Sequence, residues 1–161
     1  MLIRPATQSD AAEMAVLLNE IIRVGGTTAM QVEASANSTK AFINKLENTG
    51  CIHAACDEAT GALLGYQSLE AYPDLPPNLG IIATFAKVGG VQRGVGTALF
   101  AATRQAAPAL GFTEIDATIR ADNTGGLAYY TKMGFVDYSV AKDVPLDDGT
   151  PVDRISKRLL L

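Results

Sequence analysis

The stretch "LGIIATFAKVGGVQRGVGTALF", residues 79–100, joins an apolar segment to a helix-forming segment through a glycine-rich turn. The mostly apolar run 79–88 predicts a central strand, because strands buried on both faces carry few polar residues. A helix is predicted from about Val95. Gly94 and Gly96 let backbone N–H groups converge at the start of that helix, where the helix dipole favours negative charge. The turn therefore suits a phosphate group, although glycines that only relieve crowding would explain it equally well.

Two nucleotide-binding motifs are excluded by single residues of this turn. The dinucleotide fingerprint G-x-G-x-x-G needs a third glycine, and Leu99 stands in its place. The Walker loop needs a lysine directly before its Ser or Thr, and here Gly96 precedes Thr97. A phosphate compound bound at this turn is therefore held in some other way.

The elements on either side of the turn predict an α/β (α+β) domain, a single one over residues 1–161, with a mixed sheet of about six to seven strands and about four helices. Helices are expected after a cap at Ser9 or Asp10, after a cap at Asn37 or Ser38, from Val95 to a break near Ala106 before Pro108, and within 121–135 with Gly134 as the stop. The predicted strands are 2–7, 51–57, 63–72, 79–88, 112–120, 135–142 and 152–161.

The composition narrows the possible partners. A net charge of −4 with no basic cluster argues against nucleic acid and anionic membranes. The chain has no apolar run long enough to span a membrane and no signal-peptide core, which predicts a cytoplasmic protein. No metal site is expected, because His53 is the only histidine and has no second ligand at metal spacing. Cys51 and Cys56, five residues apart in one predicted strand, face opposite sides and are expected not to pair.

A second motif, combined with the glycine turn, resembles the GNAT (GCN5-related N-acetyltransferase) family. Residues 130–135, "YTKMGF", match the family's Tyr-x-Lys-x-Gly-Phe, and Asn123 precedes them at a typical distance. The opening "IRPATQSDAAEMAVLLNEI", followed by "GGTTA", is similar to the phosphinothricin and amino-acid acetyltransferase branch. One position departs from the family pattern: Val91 stands at the family's Gln/Arg position, and Gln92 and Arg93 are shifted by one.

The resemblance implies a GNAT-like mixed sheet and an enzyme that transfers acetyl from acetyl-CoA directly to a small primary amine, such as an amino acid or an analogue. It implies that Thr84, Phe85 and Ala86 hold the acetyl carbonyl and the pantetheine arm. Asn123 would fix the pantetheine side of the cleft, and Tyr130 would protonate the departing thiolate. The backbone amides expected at the pyrophosphate are those of Val91, Gln92, Arg93, Gly94, Val95, Gly96 and Thr97.

The sequence indicates the residues that bind the acceptor amine less clearly than those that bind acetyl-CoA. Glu70 is expected near the end of the third strand, by the cleft. Glu33 is expected in the loop after the first helix, where the family often shapes the amine-binding site, and so is a substrate-binding candidate. Either carboxylate is a candidate for the general base, and either is equally explained as a surface carboxylate. Thr27 and Thr28 could hydrogen-bond a substrate carboxylate. On a helix the side chains of Tyr129 and Tyr130 point about 100° apart, so we expect only one of the two, Tyr130, to face the cleft.

Three alternatives stay open at this point. Val91 and the lack of an obvious base are compatible with an acyl-CoA sensor that does not transfer the group. Acetylation of protein N-termini or lysines is compatible with the same motifs. A homodimer is also possible, in which the apolar C-terminal "RLLL" is an edge strand in the contact, although a buried last strand explains it as well.

Overall fold

A seven-stranded mixed sheet forms the centre of the structure, a computed structural model that describes residues 1–90 and 93–161. The strands are β1 (Leu2–Pro5), β2 (Gly50–Cys56), β3 (Leu63–Glu70), β4 (Leu79–Ala86), β5 (Glu114–Arg120), β6 (Val136–Pro145) and β7 (Pro151–Leu160). Their order across the sheet is β1-β2-β3-β4-β5-β7-β6. Only β4 and β5 are parallel neighbours. The predicted mixed sheet is confirmed.

The described part of the chain has four α-helices, as the sequence predicts: α1 (Ala11–Val24), α2 (Ala36–Thr49), α3 (Val95–Ala106) and α4 (Thr124–Lys132). Apolar side chains of α1 and α2 pack on one face of the sheet. Those of α3 and α4 pack on the other face, with α3 mainly over β2 and β3 and α4 against β5. Pro108 ends α3 at Ala106, where the sequence predicts a break. None of these helices is long and apolar enough to cross a membrane.

Helix α2 begins earlier than the sequence predicts. Its N-cap is Ser35, not Asn37 or Ser38. The Ser35 hydroxyl accepts from the Ser38 N–H at 3.0 Å, and the Ser38 hydroxyl accepts from the Ser35 N–H at 3.0 Å. This reciprocal capping box satisfies two groups at once, which a cap at either later position would not do.

The N-cap of α1 is Asp10, one of the two expected positions. Its carboxylate caps no N–H group of α1 but accepts from the Thr7 N–H at 2.6 Å. The same carboxylate forms two hydrogen bonds with the Arg4 guanidinium. The start of α1 is thereby fixed to β1.

Residues of β2 alternate between the two faces of the sheet, as the cysteine spacing predicts. Cys56 is buried against α1 and α2, and Cys51 packs with the cluster on the other face. Both cysteines are free. His53 is buried facing α3, and its Nδ1 lies 3.1 Å from the Thr103 hydroxyl.

Strands β4 and β5 separate part-way along their length. Their parallel pairing covers three positions and ends at Ile81 opposite Asp116. Beyond that point β4 keeps its pairing with β3 as far as Ala86, and β5 keeps its pairing with β7 as far as Arg120. Each strand therefore leaves one backbone edge without a ladder partner, and the gap between them opens a cleft through the sheet.

The C-terminal strand is not at the edge of the sheet. β7 pairs with β5 on one side and with β6 on the other. Of the two alternatives left open for "RLLL", the structure has the interior strand and not the edge strand, and the edges of the sheet are β1 and β6.

Candidate active site

The cleft between β4 and β5 has a volume of about 660 Å³, within the range of small-molecule sites. One wall is the free part of β4, and the other is the end of β5 with the start of α4. The end of α1 and the loop that follows it cover one side. Its lining residues include Ile21, Val24, Thr27, Thr28, Met30, Thr84, Phe85, Ala86, Gly96, Arg120, Asn123, Tyr129, Tyr130 and Arg154.

The N-terminus of α3 meets this cleft at Gly96. Gly94, the N-cap, has φ +86°, a left-handed conformation that favours glycine. No side chain of residues 1–90 or 93–161 caps the helix, and the first bond within it runs from the Ala98 N–H to the Gly94 carbonyl. The N–H groups of residues 95–97 therefore have no partner within the helix, and they carry the positive end of its dipole. This arrangement fits a pyrophosphate group.

A partly buried polar cluster joins α3 and α4 to the sheet at the wall of the cleft. Gln67 on β3 donates through Nε2 to the Thr84 hydroxyl at 2.8 Å and to the Tyr129 hydroxyl at 3.2 Å. Tyr129 in turn donates to the Gly96 carbonyl at 2.8 Å. The hydroxyls of Thr84 and Tyr130 lie 2.9 Å apart, and either can be the donor. The cluster thus connects the helix that suits a phosphate with the hydroxyl predicted to be catalytic.

Both tyrosines line the cleft, so the expectation that only one faces it is wrong. The two rings pack edge to face, with centroids 4.9 Å apart, and their hydroxyls reach the same group of polar side chains. Burial raises the pKa of Tyr130 and, in the same way, that of Tyr129. Both hydroxyls therefore keep their protons at neutral pH and can act as hydrogen-bond donors.

Asn123 caps α4 and also holds the covering loop. Its Oδ1 accepts from the Gly126 N–H at 2.8 Å, and its Nδ2 donates to the Thr27 carbonyl at 3.0 Å. Next to it, Arg120 donates to the Thr28 carbonyl at 3.1 Å. The α1–α2 loop, residues 25–35, is therefore tied to the far wall of the cleft.

Most of the residues predicted for the site meet at the cleft. In its lining are Thr28, Thr84, Phe85, Ala86, Gly96, Asn123 and Tyr130. Gly94, Val95 and Thr97 lie at the start of α3, although the Val95 side chain is buried in the core. Arg93 is exposed in the turn before the helix. Val91 and Gln92 lie outside the described residues.

The two carboxylates proposed as a base lie elsewhere. Glu70 is buried on the sheet face that carries α2, where it binds Lys45 Nζ at 2.6 Å and accepts from the Tyr72 hydroxyl at 3.0 Å. The expectation that Glu70 lies by the cleft is not met. The exposed Glu33 forms two hydrogen bonds with Arg23, which lower its pKa. Neither carboxylate is in the lining of the cleft.

Sequence reasoning missed Gln67, the contacts of Tyr129, and the two arginines Arg120 and Arg154. Gln67 could have been found from the sequence. It shares one face of its strand with the apolar Leu69, and a glutamine buried on such a face needs hydrogen-bond partners. The arginines gave none, since arginine in a strand near a sheet edge is ordinarily exposed.

Comparison with known proteins agrees with this geometry. The profile of the acetyltransferase (GNAT) domain matches residues 1–136. Similar structures include a ribosomal-protein-alanine N-acetyltransferase of Brucella melitensis, with a TM-score of 0.90 and 18% identity over 100% of both chains. A phosphinothricin acetyltransferase of Sinorhizobium meliloti, solved with acetyl-CoA, has a TM-score of 0.88 and 21% identity over 99% of this chain and 88% of that one. No match was found among curated proteins.

At these identities the solved structures show a shared fold, whereas the family profile covers most of the sequence. The predicted family and the predicted class of enzyme are confirmed. The predicted donor, acetyl-CoA, is the ligand of the Sinorhizobium meliloti protein. The sequence of this chain matches the GNAT domain over residues 1–136, and its sheet has two parallel strands that separate beside the start of α3. The chain therefore belongs to the GNAT family of acetyltransferases.

Proposed function

We propose that the protein transfers the acetyl group of acetyl-CoA directly to the primary amine of a small molecule, an amino acid or an analogue. The observation that carries this proposal is the cleft between β4 and β5, which joins the uncapped start of α3 to the Tyr130 hydroxyl. Bound there, acetyl-CoA supplies an acyl thioester that a neutral amine can attack. The amine nitrogen bonds to the acetyl carbon as the bond from that carbon to sulfur breaks.

The binding roles follow from which backbone groups lack partners. The amides of residues 95–97 would bind the pyrophosphate. The edge of β4 from Ile82 to Ala86, which has no ladder partner on the β5 side, would bind the amides of the pantetheine arm. Asn123 would hold the opposite wall by fixing the start of α4.

Tyr130 is proposed as the proton donor to the departing sulfur. Gln67 donates to Thr84, so the Thr84 hydroxyl is free to donate its own proton to Tyr130. In that arrangement the Tyr130 proton points away from Thr84 and is available to the cleft. Because burial raises its pKa, the hydroxyl stabilises the sulfur mainly by hydrogen bonding, and the net proton comes from the attacking amine.

No Asp, Glu or His is among the described residues that line the cleft. We therefore propose that the ammonium form of the acceptor first loses one proton to water, and that the neutral amine then gives up a further proton to the departing sulfur as the amide forms; we assign no side chain as the base. The same lining is compatible with an acyl-CoA sensor, and a panel of acceptor amines distinguishes the two.

A small acceptor is favoured over a protein chain by the covering loop. The carbonyls of Thr27 and Thr28 bind groups of α4 and β5, so the loop crosses the acceptor side of the cleft. A long peptide would have to displace these hydrogen bonds before its amine could enter.

The test is thiol release from acetyl-CoA with three classes of acceptor: free amino acids, polyamines and aminoglycosides, and short peptides. Turnover with amino acids is expected to exceed that with peptides. Turnover with peptides alone would favour a protein N-acetyltransferase. Silence across all three classes, with acetyl-CoA still raising the melting temperature, would favour a sensor.

Assembly and compartment belong to the same proposal. β6 is a ten-residue edge strand exposed over nearly all of its length, and pairing of two copies along this edge would give a homodimer. Sedimentation velocity would show whether the protein is monomeric instead. The free cysteines fit the reducing cytoplasm, and burial raises the pKa of Cys51 to about 11, which keeps it unreactive.

A further inference from the structure

Arg154 on β7 is a cleft residue whose charge has no partner within the described residues. Its Nε is buried, and no hydrogen-bond acceptor in residues 1–90 or 93–161 reaches that atom. Its strand neighbours differ, since Arg120 pairs with Asp122 and Arg158 pairs with Asp116. The Arg154 guanidinium thus lies at the wall of the cleft without a protein acceptor among the described residues, and a ligand in the cleft can supply one.

The face of the sheet on which Arg154 lies is set by strand alternation. Ser156 contacts Thr118 across β7 and β5, and Arg158 contacts Asp116. Arg154 therefore shares a face with Arg120. Arg120 donates to Thr28, so this face is the one covered by the α1–α2 loop. The start of α3, which suits the pyrophosphate, packs against the opposite face.

The local charge balance also favours an anion. Arg120 and Arg154 are directly opposite each other in the β5–β7 ladder, an unfavourable arrangement for like charges. Asp122 compensates only Arg120, with two hydrogen bonds to its guanidinium. None of the described residues lining the cleft is acidic. One positive charge in the cleft is thus left uncompensated.

We propose that Arg154 binds the carboxylate of the acceptor, so that the acceptor is an α-amino acid with an apolar side chain and not a simple amine or a polyamine. This inference rests on the proposed function. A guanidinium binds a carboxylate through two parallel hydrogen bonds, which fixes the orientation of the ligand as well as its charge. The apolar side chain has a matching surface in Ile21, Val24 and Met30. Arg154, and not Thr27 or Thr28, is then the main carboxylate contact.

The test is calorimetric binding to the CoA-loaded protein, with N-acetylleucine, N-acetylmethionine and N-acetylphenylalanine as carboxylate probes. N-isopentylacetamide, which is N-acetylleucine without its carboxylate, is the matched neutral probe. Arg154→Met should weaken binding of the carboxylate probes by about 10- to 100-fold and leave the neutral probe unchanged. Arg154→Lys should retain part of the binding. Arg104→Met is the control, because Arg104 is an exposed arginine of α3 outside the cleft.

Several results would overturn the inference. These are equal binding of the carboxylate probes to wild type and Arg154→Met, no binding of any of them to wild type, or a loss of CoA affinity in Arg154→Met and Arg154→Lys. Acetyl transfer to leucine, methionine and phenylalanine separates the two proposals. Unchanged transfer in Arg154→Met removes the inference and leaves the function. Probe binding that depends on Arg154, with no acetyl transfer to these or to any other class of acceptor, supports the carboxylate site and removes the function.

Discussion

Gly96, at the start of α3, lies in close contact with Tyr129 of α4. A Cβ at this position would lie 2.8 Å from Tyr129 Cε2, and the Tyr129 hydroxyl donates to the Gly96 carbonyl. Glycine is therefore required here by packing, whereas at Gly94 it is favoured by a left-handed backbone, since nothing lies within 4 Å of a Cβ built there. Two glycines in one motif thus have different physical causes.

We predict that Gly96→Ala lowers the free energy of unfolding by about 1–3 kcal/mol, because the ring of Tyr129 must move. The same shift moves the start of α3, so the affinity for acetyl-CoA should fall too. Isothermal calorimetry and urea unfolding measure the two effects. Ala98→Gly, in the same helix, is the control for helix propensity alone. An alanine variant with unchanged acetyl-CoA affinity would contradict the assigned contact.

For single residues, the sequence predicted which residues lie at the cleft better than it predicted what their side chains contact. The motif around Tyr130 placed that residue in the cleft before the structure did. Helical spacing wrongly excluded Tyr129, because a separation of about 100° between side chains does not prevent two long rings from reaching one cavity. The partners of Glu70 come from α2 and from beyond β3, and no spacing within β3 reveals them.

Helix α2 shows how the start of an element depends on reciprocal contacts. Four residues of types that can cap a helix lie close together here: Ser35, Asn37, Ser38 and Thr39. Propensity alone does not choose among them. The choice falls on Ser35, because its backbone is extended, with ψ 162°, and because Ser38 returns a hydrogen bond to it.

Ser35→Ala is predicted to lower the free energy of unfolding by about 1 kcal/mol, since it removes the cap of α2. Asn37→Ala is the matched control. Asn37 lies within the first turn and is exposed, so alanine there should be neutral or slightly stabilising. Chemical denaturation of both variants gives the comparison. A larger loss from Asn37→Ala would place the cap where the sequence alone suggested it.

Among the features of the helices and strands, the separation of β4 from β5 could not be predicted from the sequence. The apolar run 79–88 predicts a strand, and so does the alternation of 112–120. Neither pattern tells where the parallel ladder between them stops. That point is a property of the assembled sheet, in which β4 stays paired with β3 and β5 with β7.

On the scale of the whole molecule, the sheet separates two apolar layers, and the only histidine of the chain lies between the sheet and α3. His53 is buried beside Thr103, and desolvation lowers its pKa. The folded protein thus resists protonation of this ring, while the unfolded chain accepts it at about pH 6.5.

The sign of the resulting pH dependence follows from linkage. A folded pKa below the unfolded one contributes stability that is complete above about pH 6.5 and is lost as the pH falls toward the lowered value. The free energy of unfolding should therefore decrease between about pH 7 and pH 5 in the wild type. His53→Gln should remove that decrease. Parallel curves for the two proteins would contradict the assignment.

Predictability was greatest for the molecule as a whole. Element order, the number of helices and the mixed sheet all followed from periodicity and turn residues. The position of the C-terminal strand did not, because an apolar "RLLL" suits an edge contact and an interior strand equally. Only the pairing of β7 with both β5 and β6 decides between them.

Tyr130→Phe, with kcat and acetyl-CoA affinity measured together, tests whether the cleft promotes acetyl transfer through the Tyr130 hydroxyl. We predict that kcat falls about 100-fold while acetyl-CoA affinity stays unchanged, since the hydroxyl acts on the departing sulfur. Tyr129→Phe should show the opposite division, with acetyl-CoA affinity weakened about 2- to 10-fold through the lost bond to Gly96. Equal losses of turnover and affinity in Tyr130→Phe, or no loss of either, would contradict this role of the Tyr130 hydroxyl.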